Sequence, residues 1–175
     1  MTRGAELDTA LFSDRRHAAV PYAALVLLLA VAAIATVWIF QAAGYAPCEL
    51  CLKERLPYDA AIGLAALTLV VAWLGPRWAA RLGFVVLTLI FVFSAGFGIY
   101  HAGVEWGWWA GPSGCTGTLG DRAASSADFM RQLQSVQIVR CDAVAIRILG
   151  LSLAGWNAVA SLVIAGIAAA GFRRS

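Results

Sequence analysis

Charge is scarce in this sequence. Asp, Glu, Lys and Arg make up 13% of its 175 residues, about half the roughly 25% of an average soluble domain, and apolar residues reach 61% against roughly 45–50%. Mean hydropathy is +0.77. With Ala, Leu, Val, Ile and aromatics dominating throughout, disorder, collagen and coiled coil are excluded. Basic runs are absent as well: net charge is +3, and no basic stretch exceeds Arg15–Arg16 or Arg173–Arg174, which argues against nucleic-acid binding. Internal repeats are lacking, and the length suits a single domain over residues 1–175.

The apolar residues fall into four blocks, at about 21–40, 56–74, 82–100 and 148–171, with Asp59 the one charge among them. At about 1.5 Å rise per residue, some 20 residues cross a hydrocarbon core of about 30 Å. A soluble four-helix bundle would show polar stripes, and these blocks show none. A cleaved signal peptide over 1–44 fits poorly, because Glu6, Asp8 and Asp14 stand among the basic residues ahead of an apolar run longer than the usual 7–15 residues. The expected fold is therefore an all-α membrane protein, a four-transmembrane-helix bundle with a tail at 1–17 and two outer loops at about 41–55 and 101–147.

Basic residues in short segments set the orientation. The N-tail, the 75–81 connection and the C-tail carry Arg3, Arg15, Arg16, Arg77, Arg81, Arg173 and Arg174 against Glu6, Asp8 and Asp14. On the other side acids and bases balance. Both termini are therefore expected in the cytoplasm. Trp38, Trp73, Trp78, Trp106, Trp108 and Trp109 all fall near a span limit, as interfacial aromatics do.

All the cysteines lie in the two outer loops: Cys48 and Cys51 in the short one, Cys115 and Cys141 in the long one. An even number, divided between two loops in an oxidising compartment, reads as disulfide chemistry. Cys48-Glu-Leu-Cys51 follows Pro47 and opens the second span, so the pair is expected at a helix N-terminus, where the dipole favours a thiolate. Arg55 shares that helical face, where its guanidinium either stabilises a thiolate, binds an acceptor such as a carbonyl oxygen, or merely snorkels or pairs with Asp59 or Glu54. Zinc would want a second close Cys or His pair, yet Cys115 and Cys141 are 26 apart and His101 is in another segment. Haem attachment would need His where Leu52 stands. No metal is expected.

Cys115 lies in the stretch Gly111-Pro-Ser-Gly-Cys-Thr-Gly, which leaves it open to a partner. A bond from Cys115 to Cys141 would close a loop of about 27 residues and as a staple contribute roughly 3–4 kcal/mol. The glycine setting favours a labile bond over a staple. Between the two cysteines, Phe129, Met130, Leu133, Val136 and Ile138 at near-helical spacing suggest a short amphipathic helix on the outer membrane surface or on its own loop. His101 and Glu105 follow the third span at the depth of Arg55; a histidine there is an interfacial residue or a cofactor contact. Asn157, inside the fourth span, reads as interhelical hydrogen-bonding glue.

Four spans, the C-x-L-C-x-x-x-R motif (Cys48, Leu50, Cys51, Arg55) and a second cysteine pair in the following outer loop resemble the DsbB family. Tyr100-His-Ala-Gly-Val-Glu-Trp and Gly150-Leu-Ser-Leu-Ala-Gly-Trp-Asn are similar to members of it, and the resemblance covers roughly residues 18–172. It implies an enzyme of the bacterial inner membrane, with its cysteines on the periplasmic side, that oxidises thiols and reduces a quinone, ubiquinone in preference to menaquinone. Carried onto this chain, it implies Cys48–Cys51 and Cys115–Cys141 disulfides, all four cysteines as catalytic residues, and Arg55 and His101 beside the quinone. Electrons would enter at Cys115 from a periplasmic DsbA-like thioredoxin-fold protein and pass through Cys141 to Cys48. Three alternatives stand beside this reading. A vitamin K epoxide reductase-like enzyme has its loop cysteines ahead of the C-x-x-C, the reverse of the order here. A paralogue dedicated to one partner would carry the same motifs. A four-helix membrane protein with two purely structural disulfides would need neither Arg55 nor the glycine setting of Cys115.

Overall fold

The computed structural model describes residues 17–112 and 140–175. Its helices are α1 (Val20–Ala42), α2 (Glu49–Leu74), α3 (Arg77–Glu105) and α4 (Leu153–Arg174), with a small hairpin of β1 (Arg147–Ile148) and β2 (Leu151–Ser152) ahead of α4. The expected amphipathic helix, Cys115 and the tail up to residue 16 lie outside the described residues.

All four helices are long and apolar enough to cross a membrane. Their outward faces carry large apolar side chains, among them Leu28, Leu67, Leu89, Phe93 and Leu162, where a protein surrounded by water would place polar ones. The core is narrow and built from small residues: Ala23, Ala30, Ala61, Ala65, Ala165 and Ala168 surround Phe84, Leu87 and Phe91. This is how helices pack when lipid is as apolar as the interior and close backbone approach supplies the contact. At Gly98 a Cβ would lie 2.9 Å from the Ala158 backbone nitrogen, so α3 and α4 touch there backbone to backbone. Each helix packs on two neighbours, in the order α1–α2–α3–α4, and α1 closes the ring against α4.

The helix limits differ from the apolar blocks in informative ways. Only Gly75 and Pro76 separate α2 from α3, so Arg77 and Arg81 stand on the helix and not in a connection. At its other end α3 runs through His101 to Glu105, which puts both on one helical face. The fourth block was expected from residue 148, yet α4 begins at Leu153. Leu149 and Gly150 adopt φ of 53° and 85°, turning the chain in a two-residue hairpin with Arg147 opposite Ser152. Ser152 then caps α4, its Oγ accepting from the Gly155 N–H at 3.2 Å. Apolar composition alone does not register such a turn.

A polar network lies between α2, α3 and α4. The Tyr58 hydroxyl donates to Asn157 Oδ1 at 2.8 Å and meets Ser161 Oγ at 2.9 Å, and Ser161 reaches Ser94 Oγ at 3.0 Å. Asn157 is thus the interhelical glue that its position suggested, joining α2 to α4.

Candidate redox site

At the end of the bundle where α1 and α3 finish and α2 and α4 begin, Pro47 leads into Cys48, the N-cap of α2. Its φ and ψ of −76° and 172° are those of a capping residue, and its Sγ accepts the Cys51 backbone N–H at 3.1 Å. A sulfur so placed does the work of a Ser or Thr oxygen and faces the positive end of the helix. It is also 3.6 Å from Nε2 of His101. The Cys48 thiol is held at about 5, down from the usual 9.0: hydrogen bonding from Cys51 is the main cause, His101 adds to it, and burial works against both.

His101 is 2% exposed and its Nδ1 lies 2.9 Å from Glu54 Oε1. Spacing alone suggests Glu54 only as a partner for Arg55, but neighbouring positions on a helix point about 100° apart, so Glu54 turns to α3 while Arg55 turns to α1. Arg55 Nη1 donates to Gln41 Oε1 at 3.0 Å, and the guanidinium carbon lies 5.7 Å from the Trp38 ring centre. Arg55 therefore pairs with neither Asp59 nor Glu54 by hydrogen bond, but is held by α1.

Cys48 and Cys51 are free thiols, not the expected Cys48–Cys51 disulfide; the Cys48 sulfur is engaged by the Cys51 backbone and by His101. Cys141 is disulfide-bonded, and neither thiol of the C-x-x-C is its partner. Cys141 is buried in one cluster with Cys48, Leu50 and Val104. Arg140 and Asp142, paired at 2.6 and 2.9 Å, leave only the cysteine between them turned inward.

Beside the thiols is a cavity of about 260 Å³, walled by Ile34, Val37 and Phe40 of α1 and reached by Cys51, Arg55, His101, Glu105 and Asn157. Arg55 Nε, Glu105 Oε2 and Asn157 Nδ2 are buried without a partner among the described residues. Two of these are donors at the wall of an apolar space, which suits a flat apolar ligand with carbonyl oxygens. Expected site residues Cys48, Cys51, Arg55 and His101 thus come together, with Cys141 packed against them. His101 and the C-x-x-C, far apart in the chain, meet in the fold: Cys48 Sγ, Cys51 Sγ and a ring nitrogen of His101 lie within 4.8 Å of one another.

The fold and site define a multi-pass membrane protein that carries a dithiol at the mouth of a bundle cavity and a disulfide packed against it. The family model for disulfide bond formation protein DsbB matches residues 19–171, and the chain belongs to that family. Comparison with curated proteins and with solved structures returns no match.

Proposed function

We propose that this protein is a dithiol:quinone oxidoreductase of the bacterial inner membrane, with both termini in the cytoplasm, which reoxidises a periplasmic DsbA-like thioredoxin-fold protein. The observation that carries this reading is the packing of disulfide-bonded Cys141 in one buried cluster with Cys48, the low-pKa thiol. Exchange between two cysteine pairs requires such contact.

The outer pair is Cys115–Cys141 and the inner pair Cys48–Cys51. A partner thiolate attacks Cys115, forming a mixed disulfide and releasing the Cys141 thiolate. Cys141 attacks Cys48 of the oxidised inner pair, and the Cys51 thiolate leaves. The partner's second thiolate then resolves its bond to Cys115, leaving the partner oxidised. Cys115 attacks Cys141, restoring the outer disulfide and expelling Cys48 as thiolate. Two electrons have moved from the partner to the inner pair, the state with Cys48 and Cys51 as free thiols.

His101, between Cys48 and Glu54, holds at Nε2 the proton that Cys48 gives up. The apolar wall excludes water, and Arg55 Nε and Asn157 Nδ2 would hold a quinone by its carbonyl oxygens. When bound, a quinone supplies an acceptor for two electrons. Purely structural disulfides are disfavoured, because a staple needs neither a low-pKa Cys48 nor buried donors without partners at the wall of an apolar cavity.

The test is quinone reduction by the purified protein in detergent, with a reduced thioredoxin-fold dithiol as donor. Wild type turns over, Cys51→Ser and Cys115→Ser abolish turnover, and Arg55→Ala raises the quinone KM. A folded, quinone-replete wild type that stays inert, with Cys→Ser changes lowering only Tm, overturns the reading.

A further inference from the structure

We infer that the reduced inner pair, together with His101, is a binding site for a thiophilic divalent cation, zinc above all, which forms only in the dithiol state. Cys48 Sγ, Cys51 Sγ and a ring nitrogen of His101 lie within 4.8 Å of one another. A tetrahedral zinc with bonds of about 2.3 Å to sulfur and about 2.0 Å to nitrogen sets a sulfur and a nitrogen ligand about 3.5 Å apart. Cys48 Sγ and His101 Nε2 are already 3.6 Å apart.

The surrounding groups fit a metal as well. Nδ1 of His101 faces Glu54 Oε1 at 2.9 Å, the carboxylate–histidine arrangement that directs the other ring nitrogen at a metal and raises its basicity. The cation takes the place of the protons on the Cys51 sulfur and on Nε2, so binding releases protons and no electrons move. Two thiolates neutralise the dication, which removes much of the cost of burying it. Three protein ligands leave a fourth position toward the cavity, as in open zinc sites. Oxidation to the Cys48–Cys51 disulfide destroys the site. A bound cation therefore locks the pair in its reduced form, and this consequence, unlike the binding, rests on the oxidase reading.

Cobalt(II) alone is the probe, added to the reduced full-length chain in detergent. The expected result is sulfur-to-cobalt charge-transfer absorption with the intense visible bands of tetrahedral cobalt. Zinc bleaches both. They persist in a chain carrying Cys115→Ser and Cys141→Ser, and they are absent after oxidation. Glu54→Gln weakens binding about 10–100-fold. His101→Ala loses the tetrahedral bands. Should a variant fail to fold, zinc protection of two thiols from alkylation in wild type, reversed by a chelator, serves instead. A colourless reduced protein with two titratable thiols, or an unchanged spectrum in folded His101→Ala, overturns the inference. Quinone reduction measured on the same preparation separates the readings: turnover without cobalt bands removes the metal site alone, and bands without turnover remove the oxidase alone.

Discussion

Cys48 should ionise near pH 5, and the magnitudes say what that is for. Against an ordinary thiol at 9.0, a value of about 5 raises the ionised fraction about 100-fold at about pH 7. Over the same interval each thiolate loses nucleophilicity with a Brønsted slope of about 0.4–0.5, which is about 40–100-fold. The two effects nearly cancel, so Cys48 gains little as an attacker. As a leaving group it gains outright, because lower-pKa thiols depart faster. In the proposed relay, expulsion of Cys48 from a bond to Cys141 is the step that deposits electrons on the inner pair. The assay is the ultraviolet absorbance of the thiolate against pH, in a full-length chain carrying Cys115→Ser and Cys141→Ser so that only the inner dithiol reports. The midpoint should fall near 5. Cys51→Ala, which removes the largest acidifying contact, should raise it by at least about one unit, or about 1.4 kcal/mol; His101→Ala should raise it less. Between about pH 5 and the ordinary histidine value of about 6.5, the His101 imidazole is protonated folded or unfolded and the unfolded chain holds the extra thiol proton. Stability of the dithiol form therefore rises with pH there and is lost as pH falls through 5, while above the histidine value the proton kept on His101 offsets the gain. A wild-type midpoint at the ordinary thiol value, or one that neither substitution moves, refutes the argument.

Tyr58→Phe removes the donor to Asn157 Oδ1 and a contact of Ser161, and should cost about 0.6 kcal/mol, at most about 1.7, in mixed-detergent unfolding. No loss at all would make the network incidental to the packing. Gly98→Ala pushes a methyl to 2.9 Å from the Ala158 nitrogen and should cost about 1–3 kcal/mol, whereas Gly96→Ala, with open space around it, should cost nothing measurable; equal effects would refute the close approach of α3 and α4. Arg77→Cys in a chain without its four native cysteines should react with an impermeant thiol reagent only after the membrane is opened, and labelling of intact cells from outside would reverse the proposed orientation.

Residue chemistry and spacing made much of the site legible. Pro47-Cys48-Glu-Leu-Cys51 followed by Arg55 pointed to a helix N-terminus bearing a dithiol and a cation, because capping and helical periodicity are local properties. Glu54 was obscured for the opposite reason: its partner His101 is 47 residues away, and nothing in the intervening sequence says which face of α2 meets α3. Gln41 and Trp38, which hold Arg55, were hidden likewise by lying across a helix–helix contact. The hairpin before α4 escaped because Ile148-Leu-Gly-Leu reads as apolar helix until Leu149 and Gly150 take positive φ.

Hydropathy and residue spacing were enough to set out four helices long and apolar enough to cross a membrane, one of them opening on the C-x-x-C. Hydropathy over some 20 residues is a decisive physical constraint when no water is present to satisfy a backbone. Tertiary structure alone decided the chemistry of that end. It set His101 between Cys48 and Glu54, placed Cys141 against Cys48, and left donors of Arg55 and Asn157 unpaired at an apolar cavity. Those relations depend on how each helix is rotated about its axis. That rotation is fixed by contacts between residues far apart in the chain, such as Gly98 on Ala158 and Tyr58 on Asn157.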